Sequence, residues 1–141
     1  MVGAVQTATR ADGEAIVALW QDCELTRPWN DPAADFRQAI DGTTSDVLFL
    51  LGEGEPLATI MVGFDGHRGW VYYLGVSPQH RQNGLGRMMM QAAEDWLRER
   101  DAPKIQFMVR DNNDAALGFY QALGYAKQPV VTMGRRLDQQ E

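Results

Sequence analysis

Apolar positions recur along this chain in two periods. Residues 2–7, 47–51, 57–64 and 70–76 are short runs rich in β-branched, aromatic and other apolar side chains, which predicts strands. The run at 47–51 is apolar at every position, as a strand covered on both faces would be. Helical spacing appears where Leu85, Met88, Met89, Ala92, Ala93, Trp96 and Leu97 follow one another, so a helix with one apolar face is predicted from Leu85. Ile16, Leu19, Trp20 and Cys23 give the same spacing for a first helix that runs to about Glu24, with Thr9 or Asp12 as its cap. Pro32 suits the first position of a second helix that ends near Ile40, before Asp41-Gly42. Residues 104–109 read as a further strand and 130–137 as a last one. Between them, Asn112 or Asn113 can cap a helix whose face is Ala116, Phe119, Tyr120 and Leu123, with Gly124 at its end.

The turns sharpen this order. Pro78 has no backbone N–H, so the strand at 72–76 should end by Ser77. Asp65-Gly66 between two strand-like runs predicts a hairpin, with Asp65 as turn former and His67 and Arg68 at the tip. Residues 25–32 carry two prolines that bracket Trp29, Asn30 and Asp31 in a stiff loop. Trp29 is either a plug between a helix end and the sheet or one wall of a substrate pocket.

The stretch with the most chemistry is 72–97, a strand, a loop and a helix. The loop reads Arg81-Gln82-Asn83-Gly84-Leu85-Gly86. Glycine lets the backbone turn sharply and approach a ligand closely. The first N–H groups of a helix lack intrahelical acceptors, and the dipole adds partial positive charge, which suits phosphate oxygens. Arg81 can add a charge-assisted contact. Residue types alone leave a plain connection equally open. A dinucleotide fingerprint fails because Met89 stands at its third glycine, and a P-loop fails because no Gly-Lys-Ser/Thr follows.

With 141 residues, the chain suits one domain, 1–141, around one core. A formal net charge of −6 and the lack of a basic stripe argue against nucleic acid as a partner. Cys23 is the single cysteine, so no internal disulfide can form, and a small buried apolar role is expected for it. Two histidines without clustered cysteines or carboxylates give no metal-site spacing, so no metal is expected. No apolar run nears the ~20 residues of a membrane span, and no secretory signal opens the chain, which predicts a cytoplasmic protein.

Two longer strings carry a family resemblance. Leu74-x-Val76-x-Pro78-x-x-Arg81-x-x-Gly84-x-Gly86 resembles the acetyl-CoA-binding motif of the GNAT (Gcn5-related) N-acetyltransferases. Asn113-x-x-Ala116-x-x-x-Tyr120-x-x-x-Gly124-Tyr125 resembles that family's second motif, with Phe119 for the common Leu and Tyr125 for the common Phe. The loops Arg27–Pro32 and Phe64–Gly69 further resemble small bacterial members of the YpeA type. The resemblance implies an α/β fold of the α+β kind. It is a mixed, mostly antiparallel sheet of six to seven strands with about four flanking helices, splayed between the strands at 72–76 and 104–109. It implies acetyl-CoA as cosubstrate and no metal. Leu74, Gly75, Val76, Arg81, Gln82, Asn83, Gly84, Leu85, Gly86, Arg87, Asn113 and Tyr120 would contact the CoA. Trp29, Asp31, Asp65 and His67 would border a small-molecule or peptide amine, and a homodimer is open.

The implied reaction is acetyl transfer to a primary amine, and it has three needs. The amine must be neutral, which at pH 7 costs roughly 4.6 kcal/mol for a lysine-like amine and about 1 kcal/mol for an α-amine. The thioester oxygen needs a hydrogen-bond donor, a role for backbone N–H near Gly75 or Val76. The departing thiolate needs a proton, which Tyr120 can donate. A base is harder to find. Alignment of Val109-Arg110 with the family's Val-Arg puts Met108 where some relatives carry Glu, and Asp31, Asp65, His67 or water are the substitutes. The competing expectation is a non-catalytic acyl-CoA-binding sensor or interaction module.

Overall fold

In a computed structural model that describes residues 2–138, the apolar runs become adjacent strands of one sheet. The elements, in order, are β1 (Val2–Thr7), a 3-10 turn (Arg10–Asp12), α1 (Gly13–Asp22), α2 (Pro32–Asp41), β2 (Ser45–Gly52), β3 (Glu55–Phe64) and β4 (Gly69–Val76). A second 3-10 turn (Pro78–His80), α3 (Leu85–Arg98), β5 (Ile105–Gln106) and α4 (Asp114–Ala122) complete the described elements. The described sheet has five strands in sequence order, β1 to β4 antiparallel and β5 parallel to β4. The chain divides into two compact units, one ending at Met108 and the other beginning at Val109.

In the first unit both faces of the sheet are covered. Ile16 and Trp20 of α1 and Phe36 and Ala39 of α2 pack with Ala8, Val47 and Phe49. Successive strand residues point to opposite faces, so Leu48 and Leu50, also buried, turn the other way. α3 packs on β2, β3 and β4 through buried Leu85, Met89, Met90, Ala93, Trp96 and Leu97. This explains why β2 is apolar at every central position. Helix starts follow their caps. Thr9 and Asp12 form a capping box, with Thr9 N donating to Asp12 Oδ2 at 2.8 Å. The Asp31 side chain accepts from Ala34 N at 3.1 Å, with Pro32 at the first helical position.

The sequence-based expectation errs at the end of the chain. Six to seven strands were expected, against five in the described residues. The strand expected at 104–109 is only Ile105–Gln106, because its ladder with β4 involves Gly69 and Trp70 alone. Residues 130–137 form no strand. Their β-branched residues favour a strand only against a neighbour, and none pairs with them among the described residues. Val130, Val131 and Met133 accordingly stand 77%, 88% and 91% exposed. Cys23 also departs from its expected helical place. It lies just past α1, half-buried, with its Sγ donating to Val76 O at 3.3 Å. No described helix is long and apolar enough to cross a membrane.

Candidate functional site

Within the first unit, β4 has two different edges. Toward β3 it is paired from Gly69 to Val76, but toward β5 only Gly69 and Trp70 have ladder partners. Residues 71–76 therefore run past β5 with no strand partner on that side among the described residues, the kind of edge with which an extended ligand can pair. The β3 ladder is itself interrupted. Thr59 pairs with Gly75 and Met61 with Tyr72, so Ile60 stands opposite two residues, Tyr73 and Leu74. This is a β-bulge, which re-aims the strand locally. Tyr73 sits there at φ +54°, a left-handed conformation that costs a non-glycine residue about 1–3 kcal/mol.

The strand end is fastened from below. Val76 O accepts from Cys23 Sγ and from Arg81 Nε, each at 3.3 Å. A Cβ at Gly75 would lie 2.9 Å from Leu25 Cδ1 and 3.1 Å from Cys23 Sγ, so a larger residue there would push both side chains aside. Burial raises the Cys23 thiol pKa, and the neighbouring Arg81 only partly offsets it, so the sulfur is a neutral packing and donor group. The chain then turns through Pro78–His80 and through two left-handed residues, Gln82 (φ +69°) and Gly84 (φ +79°). Gly84 is the N-cap of α3 and has no side chain with which to cap it. Met88 N donates to Gly84 O, so the earlier amides of Leu85, Gly86 and Arg87 lack an acceptor within the helix. Arg81, Gln82, Asn83 and Arg87 are exposed around them. Among the described residues, His80 Nδ1 is a buried ring nitrogen without a hydrogen-bond partner, one residue before Arg81.

The structure puts the other candidate residues to visible local uses. Asp65 Oδ1 accepts from His67 N at 2.8 Å and Arg68 N at 2.7 Å, and Oδ2 accepts from Trp70 Nε1 at 3.0 Å. These donors hold the Asp65 carboxyl below the ordinary range, the Arg68 and His67 amides first. A depressed pKa contributes stability that is present above the unfolded value of 3.8 and is lost as pH falls through the folded one. Asp65→Asn should thus lower Tm at pH 7 and bring it closer to wild type in acid, while leaving any acidic limb of the kcat–pH profile in place. A limb that vanishes in this variant makes Asp65 the base. His67 is exposed at the hairpin tip. Asp31 serves as the α2 cap. Trp29 is 53% exposed, so it is not the plug that one reading of the sequence expected.

In the second unit, Asn113 caps α4, its side chain accepting from Ala116 N at 3.1 Å. Tyr120 lies edge-on to Phe119 (centroids 5.1 Å apart) and to Tyr125 (6.2 Å). Burial pushes the Tyr120 pKa up to about 12, so its hydroxyl stays protonated throughout the neutral range.

A model of the acetyltransferase (GNAT) family matches residues 14–125, which include β4, the glycine loop, α3 and α4. The chain belongs to the GNAT family. Solved structures agree on the fold. A putative acetyltransferase from Agrobacterium tumefaciens str. C58 superposes with a TM-score of 0.80 at 15% identity, covering 95% of this chain and 100% of that one. AAC(6')-Iy, in complex with a bisubstrate analog, CoA-S-monomethyl-acetylneamine, gives a TM-score of 0.83 at 14% identity and covers 96% of this chain and 98% of that one. The ribosomal-protein-S18-alanine N-acetyltransferase from Escherichia coli gives 0.75 at 22% identity and covers 88% and 77%.

The GNAT family uses acetyl-CoA, and the first unit suits such a ligand in two respects. The open edge of β4 offers a ladder to an extended arm, and the uncapped start of α3 offers amides to an anion. Sequence reasoning missed Tyr73, Asp35 and His80 in this region.

Proposed function

We propose that the protein transfers the acetyl group of acetyl-CoA to a primary amine. The observation that carries this reading is the edge of β4 beyond Trp70, which has no strand partner on the β5 side among the described residues and ends at Val76, eight residues before the uncapped start of α3 at Gly84. Leu74, Gly75 and Val76 would pair with the pantetheine arm. The amides of 84–87 with Arg81, Gln82 and Asn83 would hold the pyrophosphate. Backbone N–H at the bulge would meet the charge that develops on the thioester oxygen. Tyr120 would give its proton to the departing thiolate, and Asn113 would fix the start of its helix. The family match runs unbroken from 14 to 125, which supports a single catalytic domain.

By the family's pattern Met108 falls where some relatives carry Glu, so no evident base stands among the described side chains. Water would then carry the proton away, which favours acceptors whose amine is readily neutral. Trp29, Asp31 and His67 would border that acceptor. The test is thiol release from acetyl-CoA with a panel of α-amino peptides, lysine peptides, polyamines and amino sugars. Acceptor-dependent release, with CoA binding unaffected by ATP or NAD, is expected. Tight CoA binding without release on any amine would instead make the protein an acyl-CoA sensor. Failure to bind CoA would overturn the reading of the glycine loop.

A further inference from the structure

We infer that Tyr73 and Asp35 are positioning residues for acyl transfer, which hold the β4 bulge in the geometry the thioester meets. This rests on the transferase reading above. The bulge contains a residue in a conformation that an aromatic side chain rarely adopts, and the surroundings explain why it persists. The Tyr73 ring stacks on Trp20, with centroids 3.9 Å apart and planes 8° from parallel. Its hydroxyl donates to Asp35 Oδ2 at 2.7 Å, in the first turn of α2. Burial, and then the bond to Asp35, raise the Tyr73 pKa, so the proton stays on the phenol and the bond persists.

Trp20 secures the other strand as well. It is wholly buried, and its Nε1 donates to Thr59 Oγ1 at 3.4 Å. Thr59 pairs with Gly75, directly beside the extra residue. One indole therefore touches both strands at the interruption, through a hydrogen bond on β3 and a ring stack on β4. The Tyr73–Asp35 bond fixes the rotation of the second contact and ties it to α2, four residues after Asp31. A plain ladder would pack the core without any of these parts. Their collective effect falls on the edge of β4 that has no strand partner beyond Trp70 among the described residues, where donor placement matters most.

The test separates positioning from folding. Tyr73→Phe keeps the stack and removes the hydroxyl, Asp35→Ala removes the acceptor, and Asp35→Asn keeps a carbonyl oxygen that can accept. Tyr73→Phe and Asp35→Ala should each lower kcat about tenfold, short of the roughly 10²-fold that a 1 Å misplacement costs. The dissociation constant for CoA should stay within about twofold, because the pyrophosphate contacts are distant from this change. Asp35→Asn should regain most of the kcat, and the preference for acetyl-CoA over CoA in binding should fall in the first two variants only. A kcat within about twofold of wild type in both overturns the proposal. So does a parallel loss of kcat, CoA affinity and Tm, which a merely structural role would produce. If wild type binds CoA but releases no thiol with any amine, the transferase reading fails by itself. The acetyl-CoA to CoA affinity ratio then decides the positioning role, supported by a fall and overturned by no change.

Discussion

Replacing Tyr120 with phenylalanine should lower kcat by about 10²-fold and leave the dissociation constant of CoA within about twofold. The hydroxyl is the only group removed, and the edge-on packing with Phe119 and Tyr125 is retained. General acid catalysis contributes about 10²–10⁴-fold, and a thiolate sits at the low end because it leaves readily without a proton. With its pKa raised to about 12, Tyr120 gives no falling limb to the kcat–pH profile between neutrality and pH 10. The same shift acts on stability with a definite sign. A tyrosine whose pKa rises on folding contributes stability that is intact below its ordinary value of 10.0 and is lost as pH climbs through about 12. Wild type should therefore lose Tm over that alkaline window more steeply than the phenylalanine variant. Steady-state kinetics beside calorimetric CoA binding check the first claim, and Tm against pH checks the second. An unchanged kcat would remove Tyr120 from the chemistry.

The parts of the fold that the sequence made legible are those set by neighbours in the chain. Pro78 ended β4, the period from Leu85 gave α3, Pro32 opened α2, Asn113 capped α4, and Asp65-Gly66 made the hairpin. Each depends on contacts within a few residues, where propensity and pattern act directly. What escaped depends on distant partners. The bulge at Tyr73 needs Trp20, 53 positions earlier, and Asp35, 38 positions earlier, and nothing in Tyr-Tyr-Leu-Gly-Val announces a left-handed residue. Residues 130–137 have strand propensity but no strand pairs with them among the described residues, so propensity misled. Cys23 kept its helical spacing on paper, yet α1 stops at Asp22 and the thiol turns to Val76. The glycine loop falls between these cases. Its residue types were readable at once, but its chemical meaning came from the longer motif and from the unpaired edge of β4.

That loop yields the other large expected effect. Gly84→Val should weaken CoA binding about 10²-fold, since every tenfold is about 1.4 kcal/mol and a charge-assisted hydrogen bond contributes about 1.5–3 kcal/mol. The argument is conformational and not steric. A Cβ at Gly84 meets nothing within 4 Å, so the protein has room for the side chain. The cost lies in the backbone, where φ +79° and ψ 9° are left-handed values that a β-branched residue resists. Relief of that strain would swing the amides of Leu85, Gly86 and Arg87 away from their common direction. The rest of α3 would stay, held by Met89, Met90, Ala93, Trp96 and Leu97 in the core. Binding should therefore fall much further than Tm does. Gly84→Asn, which tolerates the left-handed region, should keep most of the affinity. Acetyl-pantetheine, which lacks the pyrophosphate, should be used equally well by wild type and Gly84→Val. Equal loss on both substrates would mean that the loop shapes the whole cleft, and equal CoA affinity in the valine variant would mean that the phosphates bind elsewhere.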